Sequence, residues 1–256
     1  MVLLYQEVRQ EPIQKGFDSK MEKKIDRRRN YGIVFDTETA NTQRDEKGQL
    51  FFKDGLFYDF GFAVVDTKGN VYEEFSFINT DIFFEKELMN TAYYKKKIPL
   101  YWEGIHAGTR IFANTYEIHR TFVEMIKKYE CKWVSAHNAR FDYAVCNATQ
   151  RWTTKSKYRF FIPYGVEIWD TMKMARDVIC QMPTYHKFSE KHGLLTKTGK
   201  VSASAENLYK FITKNPDFVE SHTGLEDVQI EKEILWYCMR QKKKMRKKLW
   251  EDKKSC

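Results

Sequence analysis

Apolar and polar residues first fall into a regular pattern at residues 31–39, YGIVFDTET. Alternation there places Val34, Asp36 and Glu38 on one face of a strand and Ile33 and Phe35 on the other. Residues 57–66 (FYDFGFAVVD) read as a second strand and VYEEFSFIN as a third, and the turn TKGN between them predicts an antiparallel hairpin. Beyond the hairpin the period changes. Residues 80–130 read as mostly helical, with Ile118, Phe122, Met125, Ile126 and Tyr129 at helical spacing. KWVSA predicts a short strand, and Phe141, Val145, Ala148, Thr149 and Trp152 outline the helix that follows. GVEIW predicts a strand, Met172, Ala175, Ile179 and Met182 mark a helix, and residues 204–213 suggest another. Thr223 and Glu226 have capping-box spacing, which starts a last long helix near Gly224; its stripe runs through Val228, Leu235, Cys238 and Met239. Three strands followed by alternating helices and strands predict an α/β fold, a mixed sheet with helices packed on it.

Composition narrows the class. At 256 residues the chain fits one domain of ordinary size. Its hydrophobic residues, 42%, and aromatics, 16%, exclude a disordered or fibrous protein. The start MVLLYQEVRQ is too short and polar for a signal peptide, and no apolar run approaches membrane-spanning length. The expectation is a soluble cytoplasmic protein with no membrane partner. Five cysteines, odd in number and without a C-x-x-C pair, indicate neither a disulfide framework nor a zinc site. They are expected to be small buried side chains, with Cys256 a free thiol on the tail.

The net charge of +9 is unevenly placed. Residues 240–254 hold nine Lys/Arg against Glu251 and Asp252, which puts +7 there and leaves +2 elsewhere. Such a block either contacts a polyanion or forms a solvated helix end. A smaller basic run lies at Lys20–Arg29. These features divide the chain into an N-terminal extension, 1–29, a domain, 30–239, and a basic tail, 240–256.

Three short motifs carry candidate chemistry. A D-x-E pair on a strand, Asp36 and Glu38, projects two carboxylates to one side, which suits hard cations that take oxygen ligands. Asp142 follows a strand-like segment in the first turn of a helix, and Asp227 stands in the first turn after Thr223. His222 precedes Asp227 by five residues; a break between them at the cap lets both face one site. Each motif alone has a structural explanation. All three at element boundaries point to a site for divalent metal and a general base.

The motifs resemble those of the DEDDh, or DnaQ-like, exonucleases of the RNase H-like fold. Asp36-Thr37-Glu38-Thr39 is similar to the family's D-x-E-T, His137-Asn138-Ala139-Arg140-Phe141-Asp142 to H-N-x-x-F-D, and His222 through Asp227 to H-x-x-x-x-D. The resemblance covers roughly residues 30–240, and the segment from about 185 to 238 looks like phage-borne members. Two departures stand out: Gly224 replaces the more usual Ala, and Glu226 adds an acid that the capping box explains.

The resemblance implies an RNase H-like mixed β-sheet flanked by helices and a 3′→5′ exonuclease. It implies two Mg2+ (or Mn2+) ions on Asp36, Glu38, Asp142 and Asp227, with His222 as general base. The substrate is DNA or RNA with a free 3′ end, and the product a nucleoside 5′-monophosphate. Thr37, Thr39 and Asn138 are candidate substrate contacts, as are Lys243, Arg246 and Lys247 on the basic tail. Trp250 has a ring able to stack on a base or pack on the domain. A proofreading role calls for a separate replicative polymerase. The competing readings are an RNase H-like endonuclease and a polymerase-accessory nucleic-acid-binding protein with an idle site.

Overall fold

A computed structural model describes residues 25–41, 43–44, 50–51 and 54–252. The expected N-terminal extension as far as residue 24, and Cys256, lie outside the described residues. Strand β1 (Tyr31–Ala40) is followed by the two-residue strands β2 (Gln43–Arg44) and β3 (Leu50–Phe51), which pair with each other. Next come β4 (Leu56–Asp66) and β5 (Val71–Asn79), joined by the predicted TKGN turn with Gly69 at φ +100°. Three short helices follow, α1 (Thr80–Phe83), α2 (Lys86–Asn90) and α3 (Ile98–His106), then strand β6 (Ile111–Ala113) and helix α4 (Thr115–Lys128). The remainder alternates: β7 (Trp133–Ala136), α5 (Ala139–Thr154), β8 (Glu167–Asp170), α6 (Thr171–Asp177), α7 (Pro183–Lys191), α8 (Ala205–Thr213) and α9 (Gly224–Arg240).

Six strands form one mixed sheet in the order β6-β5-β4-β1-β7-β8. β4 is antiparallel to both β1 and β5, whereas β7 and β8 run parallel to β1. An antiparallel three-strand meander extended by two parallel strands on the β1 side is the RNase H-like arrangement. Both faces of β1 are covered, which is why it reads as a nearly continuous apolar run. Ile33 and Phe35 enter one core with α4 and α5, and Val34 enters a second with α6–α9. In the first core Phe35, Phe60, Phe122 and Phe161 pack ring against ring at centroid separations of 5.3–5.9 Å. Cys131, Cys146, Cys180 and Cys238 are buried and unpaired.

Two predicted helical stretches are interrupted. Residues 80–130 are mostly helical, as expected, but not as one helix: Pro99 restarts the chain as α3, Gly108 at φ +71° ends it, and the apolar triplet Ile111–Ala113 becomes an edge strand parallel to β5. The stripe Met172–Met182 is not one helix either. Residues Ile179–Gln181 tighten into a 3-10 turn, and Met182 is extended, as the residue before a proline prefers. Ile179 and Met182 stay buried in the second core despite the break. Trp152, placed by periodicity on the apolar stripe of α5, is exposed and lies under Lys155.

Residues 242–252 do not extend α9; they turn back along β8. The Asp170 N–H donates to the Lys247 carbonyl and the Leu249 N–H to the Ile168 carbonyl, both at 2.8 Å. Leu249 enters the first core, and the Arg246 guanidinium grips Asp177 with Nη2 and Nε at 2.7 and 2.8 Å.

Candidate active site

The site is built at the end of β1, where the sheet is irregular. Glu38 pairs with Asp59 but Thr39 pairs with Phe57, so β4 carries one extra residue, Tyr58, beside the acidic pair. Asp36 and Glu38 point the same way from the strand, onto the face that α9 covers. Glu38 is buried, and Thr37 on the opposite face donates its hydroxyl to Asp142 Oδ1 at 2.8 Å. Asp142 lies in the first turn of α5, behind Asn138 at φ +68°.

Helix α9 brings the third acid. Thr223 does not form the predicted capping box: its hydroxyl donates to Glu226 Oε2 at 2.8 Å and leaves the helix N–H groups alone. The cap comes from another strand. The Gly224 N–H donates to Asp59 Oδ2 at 2.8 Å, and Arg110 links Glu226 (2.8 Å to both oxygens) to Asp59 at 3.5 Å. Glu226 is therefore an ion-pair partner of the α3–β6 connection. A Cβ on Gly224 would stand 2.7 Å from the Gly61 nitrogen, which explains the glycine where the resembling family more often has alanine.

A cleft of about 330 Å3 opens on this corner. Asp36, Glu38, Asp227, His222 and Glu231 line it, with Thr37, Thr39, Tyr93, Tyr94, His137, Phe141, Ser204, Ala205 and Glu220. No lysine or arginine is among these residues. Ligand atoms of Glu38, His222 and Asp227 lie within 4.8 Å of one another. Asp142 stands beside the cleft, 1% exposed, close enough to Asp36 for each to affect the other's charge.

The sequence reading missed several contributors. Glu231, one turn after Asp227 on α9, is 3% exposed and has one carboxylate oxygen, Oε2, without a hydrogen-bond partner. Its i,i+4 spacing from Asp227 was the signal that could have found it. Glu220 stands 3.7 Å from His222 Nδ1. From the segment between α2 and α3, Tyr94 stacks on the His222 ring with centroids 4.6 Å apart and planes 11° apart. Lys97 donates to the Ser221 carbonyl and lies over the Tyr94 ring. Nothing in the pattern of that segment announced Tyr94 or Lys97.

Crowding fixes the electrostatics. Burial pushes the Asp36 carboxyl well up, reinforced by Glu231, Asp142, Asp227 and Glu38. Burial also raises Glu38 and Glu231, Asp142 to about 7 and Asp227 to about 8. His222 is lowered, first by burial and then by Lys97, with Glu206 opposing. A cluster of carboxylates that raise one another is the donor set a divalent cation stabilises, and oxygen ligands of this kind suit Mg2+ or Mn2+. The unpartnered Glu231 oxygen and the absence of lysine and arginine from the lining fit that occupant.

The other predicted residues are placed as follows. Thr39 is buried and its carbonyl accepts from the Tyr93 N–H. Asn138 precedes α5, and its N–H donates to Asp170 Oδ1 at 3.3 Å. His137 bonds Thr171 and the Ala203 carbonyl, a strand-end role. Lys243 is exposed, Arg246 is held by Asp177, and Lys247 lies over the Trp169 ring; none of the three lines the cleft. Trp250 is 62% exposed and meets Tyr143 edge-on, with Arg140 over its ring.

No protein-family model matches the chain, and neither does any curated protein. Among solved structures it is similar to exonuclease X in complex with 5′-overhanging duplex DNA, with 16% identity, 82% of this chain and 92% of that chain covered, and a TM-score of 0.40. It is similar to the zinc-bound complex of E. coli exonuclease I with single-stranded DNA, at 14% identity over 83% of this chain and 41% of that one, with a TM-score of 0.49. Product-bound exonuclease I gives 16% identity, 80% and 42% coverage, and a TM-score of 0.49. The chain spans about two fifths of the two exonuclease I chains. Identities this low concern fold, which the strand order establishes by itself.

Proposed function

We propose that this protein is a metal-dependent exonuclease that shortens DNA or RNA from a free 3′ end and releases nucleoside 5′-monophosphates. The observation that carries the proposal is the single cleft in which Asp36, Glu38, Asp227 and His222 converge, with Asp142 beside it and no lysine or arginine in its lining. Asp36, Glu38, Asp142 and Asp227 would hold two Mg2+ or Mn2+ ions, with Glu231 also in the cleft lining. When bound, such ions stabilise charge on the scissile phosphate and acidify the attacking water.

The protein's own residues do the rest. His222 is kept neutral near pH 7 by burial and by Lys97, so its ring is able to accept the water's proton. Nδ1 faces Glu220, which leaves Nε2 for that proton. Stacking on Tyr94 fixes the plane of the ring. Thr37 holds Asp142 by its hydroxyl, and Asp59 and Arg110 hold the start of the helix that presents Asp227.

The test uses 5′-labelled DNA and RNA oligonucleotides with Mg2+ or with EDTA, beside an Asp227→Ala control. A metal-dependent ladder shrinking from the 3′ end supports the proposal. Internal cuts favour an endonuclease, and tight binding without cleavage of any substrate favours an idle site.

A further inference from the structure

From Tyr143 to Val166 the chain contains no aspartate or glutamate, yet it holds Arg151, Lys155, Lys157 and Arg159. Interleaved with them are four exposed aromatics: Trp152, Tyr158 at 79%, Phe160 at 54% and Tyr164 at 107%. Three of the cations sit over these rings: Arg151 over Phe160 at 5.1 Å, Lys155 over Trp152 at 4.6 Å and Lys157 over Tyr158 at 5.3 Å. Among the described residues none of the four cations has a carboxylate within ion-pairing distance. The loop is nonetheless anchored. Phe161 is fully buried among Phe57, Phe60 and Phe122, its N–H donates to Asn147 Oδ1 at 2.9 Å, and its carbonyl bonds the His119 ring.

Exposed rings are costly to leave in water, and unpaired cations beside them attract anions. Together they match one ligand chemistry, a flexible polyanion with flat apolar faces. We infer that residues 151–164 form a docking surface for single-stranded nucleic acid, distinct from the cleft. A single strand offers unpaired bases to stack on the rings and phosphates to meet the cations, whereas a duplex hides its base faces. Helix α5 joins the two places: Asp142 lies in its first turn and Trp152 in its last, about 15 Å apart along the axis. A strand whose 3′ end enters the cleft therefore has a second foothold upstream. This deepens the proposed function and rests on it for the assignment of the strand's direction.

The experiment measures fluorescence anisotropy of the full chain with a labelled single-stranded oligonucleotide in EDTA, across a range of salt. The variants are Tyr158→Ala with Phe160→Ala, and Lys155→Ala with Lys157→Ala. Hydrolysis of a dinucleotide, too short to reach the loop, is followed in parallel with Mg2+. The aromatic pair should weaken strand binding about thirtyfold or more. The lysine pair should reduce the salt slope by about 0.7 for each phosphate that is no longer neutralised. Dinucleotide hydrolysis should be unchanged in both. Unchanged affinity and slope overturn the inference, as does an equal weakening on the dinucleotide or on a duplex of the same length. If no substrate is cleaved by the unmodified protein but the binding differences hold, the nuclease reading falls and the docking surface stands.

Discussion

The Gly224 N–H donates to Asp59 Oδ2 at 2.8 Å, so the helix carrying Asp227 is capped by the strand next to the one carrying Asp36 and Glu38. That bond requires close backbone approach between α9 and β4. Gly224→Ala places a methyl group 2.7 Å from the Gly61 nitrogen and 3.0 Å from Asp59 Oδ1. The expected outcome is a loss of roughly 1–3 kcal/mol of stability, the usual cost of overpacking. Urea unfolding of the variant checks it. A midpoint equal to that of the unmodified protein shows that the close approach is not limiting.

Glu231→Gln removes from beside Asp36 a buried carboxyl, one oxygen of it unpartnered, whose ionisation burial pushes to higher pH. Metal-free and at alkaline pH, where that carboxyl has to ionise among like charges, this variant should melt at a higher temperature than the unmodified chain. It should also bind Mn2+ more weakly. Thermal melts in EDTA and a Mn2+ titration give the two readings, and a variant less stable in EDTA contradicts the electrostatic account.

Folding raises Asp142 to about 7 and Asp227 to about 8, burial being the main cause for both. The native state thus retains protons that the unfolded chain releases near pH ~4. Their contribution to stability is fully present below that value and is lost as pH rises through 7 and 8. Asp66, held low by hydrogen bonds from Asn70 and Arg29 despite burial, acts only on the acid side of this window. Metal-free protein should therefore melt lower at about pH 9 than at about pH 6. Added Mg2+ should restore more stability at the higher pH, where protons no longer compete. Calorimetry at the two pH values with and without metal decides it.

Lys97 is the second cause, after burial, of the lowered His222 pKa. Lys97→Met removes that positive charge, so the His222 pKa should rise and the acid limb of the pH–rate profile should move to higher pH. His222→Asn should cost activity about 10²–10⁴-fold, the range of a lost general base. A Lys97→Met profile shifted to lower pH, or an active His222→Asn, rejects the proton-acceptor role.

Strand periodicity made the framework legible. Val34 alternates with Ile33 and Phe35 onto opposite cores, as the two-residue period requires, and the hairpin around Gly69 follows from its turn residues. The three acidic motifs were equally legible, because chemistry restricts the residue types at element ends. The segment before α4 was not. Its helices have only four to nine residues, too short for a stripe, and its importance lies in tertiary packing such as Tyr94 on His222. Glu226 was misassigned for a related reason. Its spacing from Thr223 satisfies a local rule, but Arg110, 116 positions away, competes for the carboxylate and wins with two short bonds.

Residues 242–252 give the β8 edge of the sheet a boundary. An unpaired edge strand is a template on which another molecule's strand can nucleate. Here the Lys247 carbonyl and Leu249 N–H occupy groups on that edge, while the Lys247 side chain lies over the Trp169 ring and Lys248 pairs with Glu167. The same basic residues that look like a polyanion-binding tail therefore double as protection against self-association. A chain shortened to residue 240 should be a worse protein to concentrate before it is a worse enzyme.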